Sequence, residues 1–458
     1  MIAFLIIVFS SALFILENKG YNVVLVSIDT LRADHLGVYG YHRNTSPNID
    51  ALAKESIVFE NAISQASWTL PSHISLFTSK YPPEIYPYNL SINVSDNDYI
   101  VSMARKEFTA HPNIATILKN NGYSTAAFVS GGYVAGKWGF ENGFDVYDDS
   151  YMRIKNPAPQ ITSRVVEWLE TNRTNKFFLF LHYLDVHCPY EPLPEFQNFY
   201  LKYHSELNLS ILCAEEVANS NDINKIIGGY DDSITQVDYY LGELIDKLKS
   251  YGIYNKTIIV VLSDHGEALY DHTGSEYFSD DFPTRYIGHR YSLFNEVLRV
   301  PLIIKYPGSG HRIVQERVRI IDVLPTILGI LKLGAPFNFS GENALNVGQD
   351  RNLMAVGGPT KDLPYGAYAI FNDSYKMIFK VKKDDTNVTL LYDLEIDKRE
   401  ASDLSSMNAD ISEKLKKQLF YMLNIMVQSV AVKNHGDMAH TRIVNVKNIM
   451  QNLARQGY

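Results

Sequence analysis

The chain has 458 residues, 46% of them hydrophobic and 20% charged, enough for one large core with a smaller appended domain. A formal charge of −9 and the absence of a long basic run argue against a nucleic-acid binder. Only two cysteines occur, Cys188 and Cys213; a single disulfide between them stays open, whereas a framework of bridges or a CxxC metal site is excluded.

Residues 1–16, MIAFLIIVFSSALFIL, are apolar and uncharged. They fall short of the roughly 20 residues a membrane span needs. Over 1–20 they suit a signal peptide or a short anchor. Sequons at Asn89, Asn93, Asn172, Asn208, Asn255 and Asn387 are compatible with export. The expected location is extracellular or the cell envelope, with the cytoplasm left open. Residues 22–29 then form the first of three similar segments, an apolar β-branched run that ends in a carboxylate, Asp29.

The pentad Thr69-Leu70-Pro71-Ser72-His73 comes next and opens a run with helical spacing. Pro71 suits the first turn of a helix, so the Thr69 hydroxyl is expected at the positive mouth of that helix, where an alkoxide or oxyanion is favoured. The plain alternative is that Thr69 is an N-cap. Helices are predicted over 112–121, 161–171 and 231–251. The second segment, 177–183 followed by Asp185 and His187, lies between the last two helices, and the third, 257–262 followed by Ser263, Asp264, His265, Gly266 and Glu267, comes after them. Apolar runs of this length suit strands buried on both faces. Strands alternating with helices predict an α/β fold, a large and mostly parallel sheet flanked by helices, whose ligands bind beyond the carboxyl ends of the strands.

After residue 335 the pattern changes to short strand-like runs at 366–371, 375–379 and 388–392. A helix is expected from about 411, with Asp410 and Glu413 spaced as a capping box, fading near Gly436. The expected organisation is therefore a leader over 1–20, a catalytic domain over 21–335 and a smaller α+β domain over 336–458. The last is expected to cover one edge of the main sheet.

Asp29, Asp264, His265 and the Thr69 oxygen make four donors for one divalent cation at one sheet edge. A cation there lowers the pKa of a bound hydroxyl, so a threonine becomes a usable nucleophile near neutral pH. His187 and His289 are placed on the substrate side, to bind non-bridging oxygens, protonate a leaving group or join a second metal.

These segments resemble the sulfatase family of the alkaline phosphatase superfamily. Val26-Ser27-Ile28-Asp29-Thr30-Leu31-Arg32 looks like the family's opening with its first metal-binding Asp, and Leu262-Ser263-Asp264-His265-Gly266-Glu267 like its second metal segment. His187-Cys188-Pro189-Tyr190 and Gly288-His289 resemble substrate-contact segments, and Leu391-Tyr392-Asp393-Leu394 the C-terminal tag. The pentad resembles the signature C-x-P-S-R, in which a cysteine becomes formylglycine, but Thr69 stands first and His73 last. Thr30 stands where a second Asp is usual, and His265 where Asn is frequent. The usual lysine–histidine pair of the GKWH element is missing, with Lys137-Trp138 later in the chain.

The resemblance implies an ester hydrolase that depends on a divalent metal. Exchange of an oxygen donor for imidazole favours zinc or manganese over calcium or magnesium. The implied substrate is a small-molecule, glycan-linked or lipid-linked sulfuric ester or, in preference, a phosphoric ester. A threonine nucleophile is what the resemblance to metal–threonine phosphoesterases implies. Membrane association through the N-terminus is a further expectation. An envelope phosphoethanolamine- or phosphoglycerol-type transferase and a non-catalytic binding protein on the same fold are the alternatives.

Overall fold

The computed structural model describes residues 20–85, 98–197, 199–200, 220–272, 287–348, 351–358, 367–372, 374–381 and 386–433. Residues 1–19 of the expected leader over 1–20, Cys213, Gly436 and the sequons at Asn89, Asn93 and Asn208 lie outside these residues. No helix among the described residues is long and apolar enough to cross a membrane.

The large sheet draws on strands β1 (Asn22–Ile28), β2 (Ile57–Ile63), β3 (Ser124–Val129), β4 (Val146–Asp148), β5 (Phe177–Tyr183) and β6 (Thr257–Leu262). A short antiparallel pair, β7 (Ala268–Leu269) and β8 (Ile287–Gly288), stands apart from it, and β9 (Arg299–Val300), β10 (Leu302–Lys305) and β11 (Arg312–Arg319) complete it. The strand order is β11-β2-β10-β6-β1-β5-β3-β4, with β9 paired to β2. β10 runs antiparallel to β2 and β6, while β6, β1, β5, β3 and β4 are all parallel. The expected mostly parallel α/β sheet is thus present, with an antiparallel insertion.

β1, β5 and β6 are buried along their whole length because helices cover both faces. Alternate side chains enter two cores. Leu25, Phe178, Phe180 and Val260 face one, and Val24, Val26, Leu179 and Val261 face the other. In register, Ser27 of β1 lies beside His182 of β5 on one side and Leu262 of β6 on the other. The polar residues that follow the three strands therefore emerge together at one sheet edge.

Helix boundaries differ from the expectations in ways the packing explains. The helix expected over 231–251 runs Ser220–Ser250, because Ile226 and Tyr230 bury against the core and carry the helix through Gly228 and Gly229. The one expected over 161–171 is Ala158–Asn172, with Pro159 in its first turn. The one expected over 112–121 is Ile114–Asn120, since Asn113 and Thr116 form a reciprocal capping box one residue after Pro112.

A second sheet of β12 (Leu353–Val356), β13 (Ala367–Asn372), β14 (Tyr375–Val381) and β15 (Asn387–Asp393) is antiparallel, and the helix Ala409–Lys433 packs on it. β12 meets the main body at the loop before Thr69: Ser67 N donates to Val356 O, Val356 N donates to Gln65 O, and Ala66 bridges Val356.

Candidate metal and nucleophile site

The helix Thr69–Thr78 begins directly after Trp68, which occupies the N-cap position and supplies no capping side chain. Thr69 is in the first turn, so the N-cap alternative fails. Its hydroxyl lies 3.3 Å from His265 Nε2 instead of on the helix backbone. Every residue of this helix is buried. Ser72, the fourth residue of the pentad, donates to the Asp264 carbonyl at 2.6 Å, and Ser64 donates to the same oxygen at 2.5 Å. The helix mouth and the loop after β6 are thereby fixed to each other.

Around that joint, His265 Nε2 lies 3.2 Å from Asp264 Oδ2 and 3.7 Å from Asp29 Oδ1. One ligand atom from each of Asp29, Asp264 and His265 fits within 4.8 Å of the others. The four residues singled out from the sequence are brought together, all at most 5% exposed. Two carboxylates this close in a dry interior are costly unless a positive charge sits between them. Asp29 Oδ1 and Asp264 Oδ2 are buried without a hydrogen-bond partner, as a cation site would leave them. The residues present fit a divalent metal.

Electrostatics agree with that fit. Burial, the largest influence, would raise the Asp29 carboxyl, but His182, His187 and His265 outweigh it and hold the group far below the usual carboxylate range. Burial also opposes charge on His265, yet Asp264 and then Asp29 push its imidazole up to about 9. The carboxylates therefore draw a positive charge to this point.

Thr30, where the family usually has a second Asp, is in the left-handed region at φ 59°. Its hydroxyl donates to Asp29 O at 2.7 Å and is spent on the backbone. His289 lies beside His265 and His187 beside His289: the rings of His265 and His289 are 4.2 Å apart, and those of His187 and His289 are 5.3 Å apart. Glu267 orients His289, accepting from Nδ1 at 2.9 Å while also accepting from the Tyr190 hydroxyl at 3.0 Å. Lys137 is exposed, over the ring of Trp138. The cation closest in sequence to the histidines is Arg290, whose guanidinium lies 4.9 Å over the Trp68 ring and whose buried Nε has no hydrogen-bond partner.

Sequence reasoning missed His73 as a fixed element, Glu267 as an orienting carboxylate, and His182. His73 is neutral, its pKa lowered to about 4 by burial. Its Nδ1 donates to Thr69 O at 2.9 Å and its Nε2 accepts from Ser27 Oγ at 3.0 Å.

The family model described as Sulfatase matches residues 21–333, well over half of the chain. The chain belongs to the sulfatase family. This sulfatase-family chain is a hydrolase of ester bonds, and the family's enzymes are metal-dependent. It is 22% identical over 497 residues to an arylsulfatase of Clostridium perfringens, covering 91% of this chain and 95% of that one. It is 27% identical over 348 residues to human iduronate 2-sulfatase, covering 63% of this chain and 60% of that one. Among solved structures, the phosphonate monoester hydrolase of Agrobacterium radiobacter superposes with a TM-score of 0.69 at 16% identity, over 89% of this chain and 96% of that chain. A protein in complex with its substrate D-glucosamine-2-N,6-O-disulfate superposes with a TM-score of 0.68 at 17% identity, over 90% and 98%. These likenesses establish the alkaline phosphatase-like fold.

Proposed function

We propose that this sulfatase-family chain hydrolyses a phosphoric ester, or a sulfuric ester, with Thr69 as nucleophile in place of formylglycine. The observation that carries the reading is the Thr69 hydroxyl 3.3 Å from His265 Nε2, beside two carboxylate oxygens that have no hydrogen-bond partner. Asp29, Asp264, His265 and Thr69 would hold a divalent cation, with zinc or manganese preferred for the imidazole donor. Such a cation, when bound, lowers the pKa of the threonine hydroxyl and offsets charge developing on the ester oxygens.

The chain's own groups supply the rest. Thr69 Oγ1 gives its proton to solvent and attacks phosphorus or sulfur in line, the new O–P or O–S bond forms, and the bond to the alcohol oxygen breaks. His187 or His289 gives that oxygen its proton, and Glu267 keeps the His289 ring aimed. Water then cleaves the threonyl ester and regenerates the hydroxyl. Threonine lacks the second hydroxyl through which a formylglycine hydrate expels sulfate, so release must come from attack at the central atom. That requirement favours a phosphoric ester. The two relatives are an arylsulfatase and an iduronate sulfatase, which supports an ester of a small alcohol or sugar as the substrate class. Export, resting on the apolar residues 1–16 and the sequons, belongs to the same proposal.

The test is a panel of sulfate monoesters, phosphate monoesters and phosphodiesters, each assayed with zinc, manganese and calcium. Mass spectrometry of quenched enzyme would look for a phosphoryl or sulfuryl group on Thr69. Turnover of phosphoric esters through a Thr69 adduct is expected. Turnover of sulfate monoesters alone would reverse the phosphate preference, and an adduct on any other residue would remove Thr69 as nucleophile.

A further inference from the structure

Three buried atoms around the Asp29–Asp264 pair lack a hydrogen-bond partner, and only two of them are carboxylate oxygens. The third is Nε2 of His182. His182 sits on β5 next to Ser27 of β1, fully buried, inside the run Phe177–Tyr183. Its Nδ1 is hydrogen-bonded to the Ser130 carbonyl, which can only accept, so the ring proton is on Nδ1. With the ring neutral, as a ligand must be, Nε2 carries a lone pair, and it faces Asp29 Oδ2 at 3.4 Å. Two acceptors opposed in a dry interior are unfavourable unless a positive centre lies between them.

The three buried histidines at this edge separate cleanly by the same criterion. His265 bonds the Gly266 carbonyl through Nδ1 at 3.0 Å and turns Nε2 towards the carboxylates. His182 does the same with Ser130. Ligating histidines characteristically anchor the remote ring nitrogen on a carbonyl in this way. His73 uses both nitrogens, on Thr69 O and Ser27 Oγ, and has none to offer.

Distances fit a shared centre. Donors about 2.1 Å from one cation stand ~3.0 Å apart at right angles and ~3.4 Å apart at the tetrahedral angle. The observed separations are 3.4 Å for His182–Asp29, 3.2 Å for His265–Asp264 and 3.3 Å for Thr69–His265. Ligand atoms of His73, His182 and Asp264 also fit within 4.8 Å of one another, with Asp264 shared between this group and that of Asp29 and His265, although His73 Nδ1 is held by Thr69 O. The ring has its place because Gly131, at φ +102°, brings backbone against it; a Cβ there would lie 3.2 Å from His182 Cε1.

We infer that His182 is a direct ligand of the cation through Nε2, so that the centre holds two imidazoles, two carboxylates and the Thr69 hydroxyl. With Thr30 turned onto the backbone, β5 supplies a nitrogen where a second β1 carboxylate would have supplied oxygen. Two imidazoles shift the preference further from calcium towards manganese or zinc.

The inference rests on the cation site proposed above, and the experiment separates the two. The full chain is loaded with manganese, and pulsed electron paramagnetic resonance counts directly bound imidazole nitrogens. Two are expected in the wild type and one in His182→Gln, with manganese affinity at least ~10-fold weaker in the variant. Calcium should bind the wild type at least ~10-fold more weakly than manganese. One nitrogen in the wild type would overturn the role of His182 while leaving the centre intact, as expected if His182 were a protonated partner of Asp29. A wild-type chain that binds no manganese would overturn the centre and this inference together. The wild-type count decides even if the variant does not fold.

Discussion

At the scale of single residues, the site turns on one hydroxyl whose neighbours are all committed elsewhere. Ser72 and Ser64 hold the Asp264 backbone, Ser263 donates to His265 O, and Thr30 donates to Asp29 O. Thr69 Oγ1 alone among these hydroxyls points at an imidazole nitrogen of the cluster. Thr69→Ala is expected to lower turnover by at least ~10³-fold while leaving bound metal near its wild-type stoichiometry, read by assay beside elemental analysis. Thr69→Ser should recover part of the rate because it restores the oxygen. Asp29, Asp264 and His265 were legible because they follow apolar runs, and Thr69 because its pentad, with Pro71, opens a helical run. His182 was not: a histidine within Phe177–Tyr183 reads as core, and only the pairing with β1 shows that its ring turns towards Asp29.

Among elements, the loop after β6 has the least room to vary. Gly266 N donates to Val297 O at 2.7 Å and Glu267 N to Glu296 O at 3.1 Å, so the loop lies flat against Asn295–Leu298. A Cβ at Gly266 would come within 2.0 Å of Glu296 O. Gly266→Ala is therefore expected to displace the loop, costing about 1–3 kcal/mol in denaturant unfolding and weakening metal affinity through His265. The strands that build the site were readable from their unbroken apolar runs. The four-residue β12 was not, since so short a run gains its strand character only from pairing with β13 and from the contact with the loop before Thr69. The long helix begins before residue 231, where burial of Ile226 and Tyr230 carries it across Gly228 and Gly229.

Over the whole molecule, the site loop is fastened to the segment after β1 by Arg32. Its guanidinium reaches Asp34 at 2.9 and 2.8 Å, Asp271 at 2.7 and 3.2 Å, and Glu267 O at 3.1 Å. Burial raises the Asp271 carboxyl, but Arg32 outweighs it and leaves it below its ordinary value of 3.8. A depressed carboxylate favours the folded state above its unfolded pKa, and that contribution is lost as pH falls through the folded value. Thermal stability should accordingly drop below about pH 4. Asp271→Asn should flatten this dependence on the acid side while lowering the plateau near neutrality. Chelation is expected to lower the melting temperature as well, since it leaves Asp29 Oδ1 and Asp264 Oδ2 buried without compensation, and added manganese or zinc should reverse the loss.

The three strands that aim the site lie side by side as β6, β1 and β5, yet they begin at Asn22, Phe177 and Thr257. During synthesis, the first carboxylate waits for more than half of the polypeptide before its partner at position 264 leaves the ribosome. An emerging chain halted before that point has neither half of the Asp264–His265 pair, and so cannot trap the ion however much of β1 and β5 has formed. At the proposed site, ion uptake would therefore require β6, β1 and β5 to lie side by side first.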